Sequence, residues 1–434
     1  MKIAIIGGSG EFGSFYAKLF QEAGFDVTIT GRDQQKCKKV ARENGVKCAG
    51  SNAEACADAD VVIISVPIKE TVSVAKEIAE IAPKDCLLMD FASVKVPVVK
   101  ELKKAKCSEI AGCHPMHGPR ISSLAGQSVI FVPVKKGGKY EKIVKFFADR
   151  GARIFETTAE ENDKILGMVQ LLTHYVYIAT ASTARALDID VKKSRKFASP
   201  IYEMTIDMIA RIIGQNPYLY AQIQMSNPYS REVHEAFIKE AQKLAKAVEE
   251  NNEGEFVKIM KNAATHFGNF EDAMARSDKL IDALNEEIRE LKGSVGSEVV
   301  LQNIYSGTVH EGRLASVDPE FVELEVGKKK SKIKSSNIRL LSGEKLREWK
   351  MNDAVSRDYS FVFEKCDAKE VVACAQNIDG ENGDILQVKA IDEYALDGGK
   401  KSVTLRFWFY KNADVKGLER KVLARFAGIG AKQR

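Results

Sequence analysis

The sequence predicts an α/β chain built in modules: strands alternating with helices first, an all-helical stretch next, then two small β-rich parts. Three observations predict it. Lys2 to Ile6 is an apolar run ending in Gly7-Gly8-Ser9-Gly10-Glu11-Phe12-Gly13, with an amphipathic segment following to about Ala23. From Glu160 to about Lys292 the apolar residues recur at a helical period, with few glycines. Past Gly293-Ser-Val-Gly296-Ser297 the pattern shortens to alternating strands broken by turn residues.

Gly8, Gly10 and Gly13 fit GxGxxG, placed after a strand and at the opening of a helix. That context lets backbone amides at the helix N-terminus cradle a pyrophosphate. Residues 1–156 are therefore expected to form a Rossmann dinucleotide-binding domain. Gly8, Ser9, Gly10, Glu11, Phe12 and Gly13 are its phosphate contacts, with Gly8 allowing the tight turn and Gly13 close packing of helix on strand. The second strand, Phe25 to Thr30, runs into Gly31-Arg32-Asp33. A carboxylate at this strand's end would hold a ribose 2′-hydroxyl. Thr30 or Gly31 stands there instead and Arg32 follows, which suits a 2′-phosphate. NADP is expected in preference to NAD, the alternative being that Asp33 reaches the ribose.

Ala59 to Pro67 reads as a buried strand whose Ser65, Val66 and Pro67 line the cofactor's edge. Runs at 87–90, 109–113, 128–134 and 151–156 continue the alternation. Ser93 and His114 each lie just past such a run, at the carboxyl ends of strands, where α/β sheets bind ligands. Pro115 keeps His114 extended.

The helical stretch, 157–292, carries Asp163, Gln170 and His174 at spacings of seven and four, which would set them on one polar stripe. Asp207 and Arg211 are four apart and could pair. Leu280, Leu284, Ile288 and Leu291 form an apolar seam that an isologous dimer would bury. Residues 297–345 suggest an SH3- or Sm-like β-barrel, whose Lys328 to Lys334 run is expected at a solvated hairpin tip. Residues 352–434 read β-α-β-β-α-β, a ferredoxin-like pattern, and the two C-terminal modules are expected to fold as separate units.

The chain has 434 residues, 45% hydrophobic and 29% charged, with a formal charge of +5. That charge is small for the length and excludes a general polyanion binder. No apolar run approaches the roughly 18 residues of a membrane span. Its eight cysteines show no CxxC pairs or zinc-like His/Cys spacing, so no metal is expected and the plain reading is a reduced, cytoplasmic protein.

The first 290 residues resemble the prephenate/arogenate dehydrogenase family of tyrosine biosynthesis. The segments that carry the resemblance are GGSGEFG, DFASVK, GCHPMHGP, the Gln170/His174 helix and SPIYEMTIDMIAR, in that order. It implies that His114 is the catalytic histidine and that Ser93 contacts both the reacting hydroxyl and the nicotinamide. It further implies that Arg211 holds the ring carboxylate of prephenate, while His174 and Gln170 line the pocket of a homodimer. Glu203 departs from the pattern, since a basic residue often follows SPIY. The tail at 353–434 resembles the ferredoxin-fold anticodon-binding domain of phenylalanyl-tRNA synthetases, which leaves a tyrosine effector or RNA as partners to consider there.

The chemistry of prephenate agrees with those residue types. Loss of hydride from its hydroxyl-bearing carbon makes a ketone, and the carboxylate para to it can then leave as CO2. Neutral histidine suits the hydroxyl proton, and arginine suits the carboxylate. Arogenate dehydrogenase and an RNA-binding regulator with a dehydrogenase-like domain are the alternatives. A β-hydroxyacid dehydrogenase would need a lysine four residues after Gly167, where Leu171 stands. A deazaflavin:NADP oxidoreductase would lack the long helical stretch.

Overall fold

The computed structural model describes every residue except 328, 365, 366, 377 and 379–382, and only the backbone of Gln376. Its contacts divide the chain into two units, Met1–Gly268 and Asn269–Arg434.

The first unit opens with β1 (Lys2–Ile6), α1 (Glu11–Glu22), β2 (Asp26–Ile29), α2 (Gln34–Asn44), β3 (Lys47–Cys48), α3 (Asn52–Cys56), β4 (Val61–Ile64) and α4 (Ile68–Ile81). It continues with β5 (Leu87–Asp90), α5 (Val96–Leu102), β6 (Glu109–Pro115), β7 (Ser128–Lys135), α6 (Gly138–Ala148) and β8 (Arg153–Glu156). The eight strands form one sheet in the order β3-β2-β1-β4-β5-β6-β7-β8. Every ladder is parallel except β6–β7, where the chain doubles back on itself. β1, β4 and β5 are almost wholly apolar because helices cover both sheet faces. Tyr16, Phe20 and Phe147 pack on one face, and Ile78, Val98 and Leu102 on the other.

The helices that follow are α7 (Ala159–Leu166), a π-helical turn (Gly167–Leu172), α8 (Thr173–Ala186), α9 (Val191–Ser194), α10 (Pro200–Ile213), α11 (Pro217–Ser226), α12 (Ser230–Glu249) and α13 (Glu253–Phe267). The run Ala159–Ala186 has 28 residues and a mean hydropathy of 1.2 in its most apolar window, enough by length and composition alone to cross a membrane. This corrects the expectation that no stretch reaches that size: charged residues gather near its start, at Glu160, Glu161, Asp163 and Lys164, and past them only Arg185 is charged. Ile165, Met168 and Val169 are about half exposed on it.

Cys37 on α2 and Cys48 on β3 are joined as a disulfide, where the sequence reading expects free thiols. The tight return from α2 into β3 brings the two side by side. Cys56, Cys86, Cys107, Cys113 and Cys374 are free.

The second unit holds α14 (Glu271–Gly293), then β9 (Glu298–Asn303), β10 (Val309–Val317), β11 (Phe321–Val326), β12 (Lys329–Lys334) and β13 (Ile338–Leu340). These strands make an antiparallel sheet in the order β12-β11-β10-β9-β13. Leu291 of α14 is buried against Val299, Leu301, Leu314 and Ile338, so this helix packs with the strands that follow it. Leu280, Leu284 and Ile288 stay about half exposed. Lys328 lies outside the described residues. Lys329 to Lys334 form an edge strand rather than a hairpin tip, with Lys330 paired to Glu325 at 2.9 Å and Lys332 over the Phe321 ring. Lysines on an edge discourage a further strand from adding.

Next come α15 (Gly343–Met351), which the sequence reading did not anticipate, β14 (Ala354–Phe363), α16 (Ala368–Gln376), β15 (Ile385–Ala395), β16 (Lys401–Tyr410), α17 (Val415–Gly428) and β17 (Lys432–Gln433). Their sheet runs β15-β16-β14-β17, all antiparallel, with α16 and α17 on one face over Phe361, Leu405 and Phe407. Tyr410 Oη donates to Glu311 of β10 at 2.9 Å, and the Trp349 ring meets Tyr410 at 5.8 Å. These contacts join the two sheets within the second unit.

Candidate active site

The phosphate end is shaped by close backbone approach. Gly7 has φ +85°, and a Cβ on it would lie 2.4 Å from the Ser65 carbonyl oxygen. The left-handed residue of the turn is therefore Gly7, not Gly8 as the motif suggests. A Cβ on Gly13 would meet the Gly7 oxygen and Gly8 Cα, both at 2.7 Å, so the third glycine does allow α1 to press on the loop. Gly10 caps α1 without any side-chain bond, leaving the first-turn amides of Glu11, Phe12 and Gly13 for an anion. Ser9 is buried beneath this turn, against Gly31. These features fit a dinucleotide's pyrophosphate.

At the far end of β2, Thr30 is buried and its hydroxyl donates to Asn52 Oδ1 at 2.8 Å. Asp33 caps α2, accepting from the amides of Gln35 and Lys36 at 3.0 Å each. Its carboxylate is thereby turned toward the helix. Arg32 is 81% exposed and meets Glu70 of α4 at 3.1 Å. Ser65, Val66 and Pro67 follow β4 and lead into α4.

Asp90 pairs with Gly112 across β5 and β6, so Ser93 and His114 leave the same edge of the sheet. Both are buried, at 8% and 5% exposure. Ser93 Oγ and His114 Nδ1 are enclosed with no hydrogen-bond partner among the described residues. Buried polar atoms are usually paired, so two orphans on adjacent strands make this edge of the sheet a candidate ligand site. Burial, then the positive charge of Lys95, then His117 hold the His114 imidazole neutral, with its pKa pushed down to about 3. His117 itself is turned away, bonding Tyr16 Oη at 2.7 Å.

The turn bearing Ser93 is fastened from α7. Asp163 accepts the amides of Lys95 at 2.7 Å and Val96 at 2.8 Å, and Asn162 donates to the Ser93 carbonyl at 3.1 Å. Asn227, after α11, donates to the Asp163 carbonyl at 2.9 Å. Asp163 is thus not part of a pocket stripe with Gln170 and His174. The π-helical turn between them shifts the register that a plain α-helix would keep.

His174 is half-buried, and its ring meets Tyr220 of α11 edge-on at 4.7 Å. Its Nδ1 is enclosed without a partner among the described residues, and burial lowers its pKa. Burial raises the pKa of Tyr220, and the positive charge of Arg211 on α10 opposes that rise. Gln170 lies within the π-helical turn, one turn before His174. The expected Asp207–Arg211 pair is not formed. Arg195 takes Asp207 at 2.6 Å and Glu203 as well, and Arg211 has no carboxylate partner among the described residues. Its exposed guanidinium is free for a ligand carboxylate.

Sequence reasoning gave no role to Asp90, Asn162, Asn227, Tyr220 or Arg195. Only Asp90 and Lys95 offered a signal, as opposite charges flanking an apolar turn.

Residues 16–156 match the family model for the prephenate dehydrogenase nucleotide-binding domain, and 158–262 the model for the prephenate dehydrogenase dimerization domain. A Methanocaldococcus jannaschii protein named "Probable arogenate/prephenate dehydrogenase" is 37% identical, over 100% of this chain and 98% of that one. The T-protein of Haemophilus influenzae is 27% identical over 66% of this chain and 72% of its own length. Among solved structures, prephenate dehydrogenase from A. aeolicus in complex with hydroxyphenyl propionate and NAD+ superposes with a TM-score of 0.50. It is 23% identical and covers 61% of this chain and 96% of that one, a likeness of fold.

Proposed function

The chain belongs to the prephenate/arogenate dehydrogenase family, and on that premise we propose that it converts prephenate to 4-hydroxyphenylpyruvate and CO2, with a pyridine nucleotide as hydride acceptor. The observation that carries the reading is the pair of orphaned buried atoms, Ser93 Oγ and His114 Nδ1, beside a cradle fitted to a dinucleotide.

Neutral His114 accepts the ring hydroxyl proton as hydride leaves the same carbon. Ser93 bonds that hydroxyl and fixes its direction. Arg211 holds the ring carboxylate, with His174, Gln170 and Tyr220 around it. The dinucleotide, when bound, supplies the hydride acceptor. Loss of CO2 passes its electron pair to the new carbonyl oxygen, which recovers the proton from His114 as the ring becomes aromatic. The α1 amides and the glycine turn hold the pyrophosphate. Arg32, free of any capping duty, favours a 2′-phosphate, so NADP is the preferred cofactor.

The half-exposed residues Ile165, Met168 and Val169 lie within the stretch that matches a dimerization domain, and a second copy would cover them. A homodimer through these helices is the assembly we read. α14, with its seam, lies beyond that match. The C-terminal third reads as an SH3- or Sm-like module and a ferredoxin-like module, for which tyrosine sensing is preferred to RNA binding.

Arogenate is the second reading. Its side chain carries an ammonium where prephenate has a ketone. Glu203 and Asp207, on the helix of Arg211, leave one carboxylate in excess over Arg195. The deciding experiment is cofactor reduction with prephenate or arogenate, each with NADP or NAD. Turnover of prephenate with NADP is expected, and none with either substrate and either cofactor would sink the family activity for this chain.

A further inference from the structure

Lys95 is wholly enclosed and takes no part in the chemistry above. Its ammonium donates to Asp90 Oδ2 at 2.6 Å and to the Cys113 carbonyl at 2.8 Å. Its backbone amide is the one held by Asp163. The stem of Lys95 lies against Gly112, where a Cβ would come 2.9 Å from Lys95 Cδ, so β6 makes room for it. A buried ion pair adds little net stability, because desolvation offsets the attraction, and a well-packed apolar pair often serves as well. The location of this one suggests a different use. The Cys113 carbonyl belongs to the peptide plane that ends at His114, and a planar peptide with a fixed oxygen has a fixed orientation.

We propose that Lys95 is a positioning residue for the reaction: it clamps the Cys113–His114 peptide and, two residues along the chain from Ser93, registers the serine hydroxyl against the imidazole. The proposal rests on the reading of His114 as proton acceptor. The charged and titratable groups that act on His114 are Lys95, from the turn after β5, and His117, from the loop after β6; Asp90 at the end of β5 and Asp163 of α7 reach it through Lys95, which they bond. Of these, Lys95 brings the positive charge that disfavours the imidazolium. Burial raises the pKa of Asp90, and Lys95 opposes that rise. The clamp and the charge act in the same direction, toward a neutral imidazole in one orientation.

The test compares full-length Asp90→Asn/Lys95→Met, which removes both charges together, with Lys95→Arg, which keeps the cation but displaces its donors. In the double variant kcat falls about 10²-fold, the scale of a misplaced catalytic group, while KM and NADP affinity change little. Titration of the His114 ring carbon by NMR, without substrate, moves to higher pH in the double variant and stays in place in Lys95→Arg. Lys95→Arg loses about 10-fold in kcat, less than the double variant because its charge remains. A folded double variant with wild-type kcat overturns the proposal, as does an unmoved His114 titration. If the double variant does not fold, wild-type kcat in Lys95→Arg overturns it instead. Because the titration needs no turnover, it separates this proposal from the substrate reading: a wild-type chain inactive on both substrates, with the titration shifting as stated, refutes the reaction and leaves the clamp.

Discussion

Asp163 accepts the backbone amide of Lys95 at 2.7 Å, across 68 positions of sequence. The bond fastens the helical part of the first unit to the turn that presents Ser93. Asp163→Ala leaves the amides of Lys95 and Val96 without an acceptor, at a cost of about 1–3 kcal/mol each. Urea unfolding and steady-state kinetics should find a less stable protein whose kcat falls more than its KM rises. Wild-type kcat would mean that Ser93 holds its place without this bond.

Replacing the imidazole tests the proton acceptor. His114→Asn should lower kcat roughly 10²–10⁴-fold, the range for losing a general base, with NADP affinity nearly unchanged. An equal loss of cofactor binding would make His114 structural. Its lowered pKa has a consequence for stability as well. The unfolded chain takes up this proton near the ordinary value of about 6.5, the folded chain near about 3. Stability from the neutral histidine is present above the unfolded value and drains away as pH falls from there toward the folded value. The pH dependence of unfolding between those limits should be shallower in His114→Asn.

Arg211→Ala removes a charge-assisted contact that exists before the reaction as well as during it. The loss should appear mainly in KM for prephenate. A change confined to kcat would move Arg211 away from ground-state binding.

Arg32→Ala should weaken NADP roughly 10–100-fold, as for one charge-assisted bond, and leave NAD nearly alone. Equal effects would return the choice of nucleotide to Asp33 despite its capping bonds. Glu70 now occupies Arg32, so Glu70→Gln should tighten NADP.

A chain ending at Gly268, where the first unit closes, should remain dimeric and active by gel filtration and kinetics. The sequence seam at 280–291 would have set this cut near Lys292. Leu291, however, belongs to the core of the β-rich part, so that cut would bare an apolar surface. Loss of tyrosine inhibition on truncation would assign sensing to the second unit; unchanged inhibition would remove it.

What was legible in the sequence follows from the range of the interactions involved. The order of strands and helices in residues 1–156, and the placing of Ser93 and His114 at strand ends, rest on local periods and glycine spacing. The π-helical turn leaves no such mark, so the stripe through Asp163, Gln170 and His174 was drawn on the wrong pitch. Arg195 reaches Asp207 across a break between helices, a partnership that helical spacing could not suggest, and Arg211 was paired locally in its place. Tyr220 announced nothing either, because its role depends on α11 meeting α8. At the glycine turn GG offers two candidates for the left-handed position and only the backbone chooses Gly7, while Gly13 keeps the close-packing role its spacing suggests.

The π-helical turn at Gly167–Leu172 also makes the first unit tolerant of a change in chain length at that point. A wider turn holds one residue more than an α-helix would over the same rise. Deleting a single residue there would let the segment relax to ordinary pitch, and everything beyond it, His174 first, would keep nearly the same facing. The same deletion in a plain α-helix would swing everything after it about 100° around the axis. The imidazole would therefore stay beside Tyr220 in the first case and leave it in the second. A one-residue gap aligned to this turn leaves the pocket as it was, and one aligned a few letters earlier does not.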